Sequence, residues 1–75
     1  MKEYKTSDIV LAATLKLNGV HLIRIDIDGS KGEFVFENVD EILLQEFDLG
    51  NIKVEPILFN NTIRQLTTSV RRLIK

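Results

Sequence analysis

Seventy-five residues, 44% of them hydrophobic and 28% charged, make one domain of ordinary globular composition, which argues against both a disordered and a membrane-spanning chain. The formal net charge is only −1, and with no cysteine and the single histidine His21 the chain can build neither a disulfide framework nor a Cys/His zinc site, since structural zinc takes four such ligands. A core of this size rarely supplies more than ~3–5 kcal/mol, so close packing or self-association must carry the stability.

The stretch KTSDIVLAATLKLNG predicts a first helix over 7–18: Thr6 or Ser7 can cap the free N–H groups, Asp8 suits the positive end, and Asn18-Gly19 suits a left-handed stop. Seven of the nine residues from Ile9 to Leu17 are apolar. A helix apolar nearly all round must be covered on more than one side. Residues 9–15 follow two lysines in the manner of an export signal, but Lys16 cuts the run and no Ala-x-Ala pattern follows. A spanning helix would need about 20 apolar residues. The expectation is therefore a cytoplasmic protein with no membrane partner.

From Val20 to Asp28 the period changes to two, with Ile23, Ile25 and Ile27 on one face and Leu22, Arg24, Asp26 and Asp28 on the other. After the turn residues Gly29-Ser30-Lys31-Gly32, Phe34 and Phe36 alternate with Glu33, Val35 and Glu37, which predicts an antiparallel hairpin. Matching the apolar faces pairs Ile27 with Phe34 and Ile25 with Phe36, and sets Arg24 across from Glu37. In that register Asp26, Asp28, Glu33 and Glu37 share the polar face, with Asp28 opposite Glu33. Three oxygen donors could then approach one cation, but Ca²⁺ wants six to eight and Mg²⁺ sites of this kind are completed by phosphates and water. The reading is a solvated hairpin face, with no metal and no cofactor.

NVDEILLQEFDLGN predicts a short helix over 40–48, capped by Asn38 or Asp40 and turning Leu43, Leu44 and Phe47 inward. Ile52 and Val54 alternate with Lys53 and Glu55 and predict a short third strand, which a marginal hairpin needs. Pro56 then opens a last helix reaching to about residue 74. The order is α-β-β-α-β-α: a single α+β domain over 1–75, an antiparallel hairpin plus a short third strand with helices packed on one face.

In the last helix Phe59, Ile63, Leu66, Val70 and Leu73 fall at heptad-like spacing, and Arg64, Arg71 and Lys75 form a basic ridge beside them, with Arg72 adjacent. Residues 26–55 carry nine acids against two lysines, whereas 56–75 carry four cations and no acid. The ridge can serve the helix C-terminus, or bind an anion. His21 has Ser7, Ser30 and Ser69 as possible nucleophilic partners, but no spacing gathers them with an orienting acid, so His21 reads as a partly buried structural residue and the chain as no enzyme.

Tyr4-Lys5-Thr6-Ser7-Asp8, Leu11-Ala12-Ala13, Gly19, Phe34-Val35-Phe36-Glu37 and Val54-Glu55-Pro56 ahead of an Arg-bearing helix resemble an uncharacterised family of short phage and prokaryotic domains, domain of unknown function 5659. The family carries no activity or site, so the resemblance implies context alone: a small intracellular protein of a phage or mobile element. Two expectations follow from the residues. The favoured one is a homo-oligomer or other protein-interaction module using Phe59, Ile63, Leu66, Val70 and Leu73. The alternative is a nucleic-acid-binding module using Arg64, Arg71, Arg72 and Lys75.

Overall fold

The computed structural model describes residues 2–74. The elements are β1 (Glu3–Thr6), α1 (Ile9–Leu17), β2 (His21–Asp28), β3 (Lys31–Glu37), α2 (Glu41–Asp48) and α3 (Pro56–Leu73). The class is α+β, as expected, but the order is β-α-β-β-α-α. The three strands form one antiparallel sheet in the order β1-β3-β2. The third strand is thus the N-terminal Glu3–Thr6, not 52–55. Ile52 and Val54 are half-buried and Lys53 and Glu55 exposed, as the alternation required, but the segment joins α2 to α3 and pairs with no strand.

Each helix begins and ends where local chemistry directs it. Asp8 itself, rather than Thr6 or Ser7, caps α1 by accepting from the amides of Val10 (2.9 Å) and Leu11 (3.2 Å), while the Thr6 hydroxyl accepts from the Asp8 amide. At the other end Gly19 takes a left-handed φ of 82°, and the Val20 amide donates back to the Leu15 carbonyl, closing the turn. Asp40 caps α2 and Gly50 ends it with the same geometry. Glu55 caps α3 through the Leu58 amide, with Pro56 in the first turn.

The hairpin differs in register from the expectation. Its loop is Gly29-Ser30, closed by the pair Asp28–Lys31, with Gly29 alone at positive φ. Ile25 therefore faces Phe34, Ile27 faces Gly32 and Arg24 faces Val35, two residues away from the expected pairing. A bulge between Leu22 and Arg24 then reverses the alternation, so Leu22, not Ile23, opposes Phe36 and packs on the core, and His21 lies across from Glu37. A two-residue slip keeps every side chain on its face, which is why face matching alone could not choose between the registers.

The core lies between the Phe34/Phe36 face of the sheet and the helices. Leu11, Ala12, Ala13, Leu15, Phe34, Phe36 and Leu66 are buried together, with Leu43, Leu44 and Phe47 of α2 packed against them. Residues 11–15 of α1 are all buried within the one chain. Covering this stretch takes no second copy. On the opposite sheet face Val35 is 0% exposed, between Lys5 and Arg24 on the flanking strands. Among the described residues no helix is long and apolar enough to cross a membrane.

Candidate functional site

The heptad seam of α3 is spent mainly on its own core. Leu66 is 1% exposed, and Phe59, Ile63 and Val70 pack on the buried cluster. Leu73, at 50% exposed, is the one seam residue turned largely to solvent. Arg64, Arg71 and Arg72 are exposed along the other side of the helix, and Lys75 lies outside the described residues.

Two open hollows flank that exposed side. The first, of 430 Å³, is lined by Arg64, Gln65, Thr68, Ser69 and Arg72 of α3 and by Lys16 from the last turn of α1. Gln65, Thr68, Ser69 and Arg72 recur at i, i+3, i+4 and i+7 and so share one helical face. The second hollow, of 380 Å³, lies where the start of α1, the hairpin turn and the end of α3 meet. Its apolar side chains are Ile9, Phe34, Val70 and Ile74, its cations Lys31 and Arg71, and its hydroxyls Ser7, Ser30 and Thr67. The ridge expected from spacing is thus divided: Arg64 and Arg72 line one hollow and Arg71 the other.

Among the described residues neither hollow is lined by a carboxylate. Among the described residues the ion pairs both belong to Arg24, far from α3 in the sheet, so the cations around the hollows make none. Lys16 could not be read from sequence as part of the basic surface, because only the packing of α1 on α3 brings it there. The polar stripe on α3 carried a legible signal in its spacing and its lack of acids.

The hairpin carboxylates regroup in the observed register, where Asp26, not Asp28, lies across from Glu33. Asp28 pairs with Lys31 rather than Glu33, and Asp26 accepts from the Arg24 Nε at 3.0 Å. Arg24 reaches across Val35 to Glu3 on β1 with two further bonds of 3.0 and 3.2 Å, not to Glu37. Among the described residues no group of three or more acidic or histidine side chains is placed to hold a metal ion. His21 is exposed rather than partly buried, and it lines neither hollow, whereas Ser7 and Ser30 line one and Ser69 the other.

The hydrogen bonds from Arg24, with its charge and that of Lys5 adding, hold the Glu3 carboxyl below its ordinary value, and hold the guanidinium above its own. A carboxyl depressed in the folded state stabilises above its unfolded value, near pH 4.3, and loses that contribution as pH falls through the folded one. A carboxyl-detected NMR titration should place Glu3 below the usual glutamate range, and Arg24→Gln should return it there. The associated stability is small and salt-sensitive because the group is exposed. A Glu3 that titrates normally would mean the bridge is not held in solution.

A family model described as Domain of unknown function (DUF5659) matches residues 1–71. No curated protein and no solved structure matches the chain.

Proposed function

Because the chain belongs to the DUF5659 family, whose description names no activity, we propose its function from the geometry: a non-enzymatic protein-interaction module that docks a peptide segment of another protein in the hollow beside Arg71. The carrying observation is the pairing of an apolar floor, Ile9, Phe34, Val70 and Ile74, with the cations Lys31 and Arg71 and, among the described residues, no carboxylate. That chemistry favours a ligand presenting an apolar side chain next to a carboxylate, as the last residue of a peptide does. The hydroxyls of Ser7, Ser30 and Thr67 make no hydrogen bond to another described residue and can meet peptide amides, a role that an acyl chain would not need. The chain lacks cysteines, which suits the reducing cytoplasm of a prokaryotic or phage-infected cell.

Self-association is the less supported form of this reading, since α1 and most of the α3 seam are covered within one chain. Light scattering at high micromolar concentration should accordingly read a monomer of 8.6 kDa. The docking test is an NMR titration with a short peptide ending in leucine. The free acid should shift the amides of Ile9, Gly32 and Thr67 and bind roughly tenfold tighter than the C-terminal amide, a difference of about 1.4 kcal/mol. Arg71→Gln should remove the difference. Equal binding of acid and amide, or shifts elsewhere in the domain, would reject the hollow as the docking site.

A further inference from the structure

The first hollow supports a second, separate activity. We infer that the groove lined by Lys16, Arg64 and Arg72 binds the phosphodiester backbone of nucleic acid, without reading base sequence.

The cations come first. Lys16, Arg64 and Arg72 are exposed, and none forms an ion pair with a described residue. A favourable helix dipole accounts for Lys16 and Arg72, which lie in the last turns of α1 and α3. It does not account for Arg64, which lies in the middle of α3. Nor does it explain why α3 carries no acid from Pro56 to Leu73, when residues 26–55 carry nine. A cationic helix ordinarily gains by placing a glutamate four residues before a lysine or arginine. Here the positions four before Arg64 and Arg72 are Asn60 and Thr68.

Neutral donors fill the space between the cations. Gln65, Thr68 and Ser69 line the same groove, and none uses its side chain in a hydrogen bond to a described residue. By contrast Thr14 and Thr62, on the buried faces of their helices, each donate to the carbonyl four residues back. Hydroxyls, amides and guanidinium groups are the side chains that contact phosphate oxygens along a nucleic-acid backbone.

Spacing separates an extended polyanion from a single small anion. Arg64 and Arg72 are eight residues apart, a rise of about 12 Å along the helix. With Thr68 midway and Lys16 entering from the side, the cations are spread along a groove as a polyanion requires, instead of gathered into a cup for one phosphate. A phosphopeptide would engage one part of that groove. Among the described residues no aromatic lines the groove, so they offer no aromatic platform on which to stack single-stranded bases. The geometry favours contact with the duplex backbone.

The experiment is fluorescence anisotropy of a labelled duplex of about 20 bp at salt from about 50 to about 200 mM, beside an oligothymidylate of equal length and a phosphoserine peptide. Three phosphate contacts predict a slope of log K against log salt near −2.7, a loss of about 40-fold over that range. Lys16→Gln, Arg64→Gln and Arg72→Gln should each flatten the slope by about 0.9, and together abolish binding. All three residues are exposed, so the triple variant should keep a cooperative circular dichroism melt, lowered by no more than the lost helix-dipole interactions of Lys16 and Arg72, which separates lost contacts from lost fold. Lys53→Gln, outside both hollows, controls for net charge and should bind as wild type.

Absence of binding to the duplex at the lowest salt would overturn the inference, as would variants that bind with unchanged slope. A phosphoserine peptide that binds as tightly as the duplex would overturn the nucleic-acid assignment. Because the peptide-docking hollow uses Arg71 and Lys31, failure at one hollow leaves the test of the other intact.

Discussion

Phe36→Ala should leave the domain largely unfolded at 25 °C. Phe36 is 0% exposed on the central strand, with Tyr4 across from it on β1 and Leu22 on β2. It is thus the point at which all three strands join the buried cluster. Truncating a buried phenylalanine costs about 3–5 kcal/mol through lost transfer energy and the cavity left behind. A single core in a domain of this size supplies about the same amount, so little net stability remains. Circular dichroism should lose its cooperative thermal transition. Phe47→Ala should keep one, because Phe47 is half-buried in α2 and packs at the margin of the same cluster. A Phe36→Ala variant melting within a few degrees of wild type would place the centre of the core elsewhere.

What the sequence made legible divides along the range of the interactions involved. The helices were readable because their signals are local: Gly19 and Gly50 at left-handed φ, Asp40 at a cap and Pro56 at a first turn act within a few residues of where they stand. The hairpin was readable for the same reason, but its register was not. Gly29 and Gly32 both suit a turn, and only the approach of α3 fixes Gly32 in the strand. The third strand turned on a still longer-range fact. Ile52 and Val54 have the alternation of a strand without a partner, whereas the equally short EYKT lies where the open edge of β3 can pair with it.

The proposed binding surfaces follow the same division. Spacing along α3 identified Arg64, Arg71 and Arg72 as exposed cations, and Leu66 and Val70 as apolar positions, since one helix carries them all. Lys16 and Lys31 became neighbours of that helix only through packing. The all-round apolar α1 had to be covered on more than one side, and its sequence alone left open whether a second copy does so. Within the chain α1 packs on α3 and on the Phe34/Phe36 face of the sheet, and residues 11–15 are buried there.

Gly32→Ala should destabilise the domain by about 1–3 kcal/mol, the usual cost of overpacking a well-filled site. A Cβ at this position would stand 2.7 Å from one methyl of Val70 and 3.0 Å from the other. Val70 cannot turn aside, because a valine in a helix has one strongly preferred rotamer. Either α3 or the hairpin must therefore move. The direction of the effect discriminates between causes. Gly32 is not at positive φ, so on backbone grounds alone alanine should stabilise the strand, by about 0.5–1 kcal/mol relative to glycine. A loss can then come only from the contact with α3. The double variant isolates it: in a Val70→Ala background the same Gly32→Ala change should become neutral or stabilising, with a coupling of about 0.5–3 kcal/mol in urea denaturation. Gly32 and Val70 also line the hollow beside Arg71, so Gly32→Ala should weaken peptide docking there while leaving duplex binding at the Arg64 groove unchanged. Additive effects of the two substitutions would show that α3 does not press on the hairpin in solution, and would remove the floor on which the docking site is built.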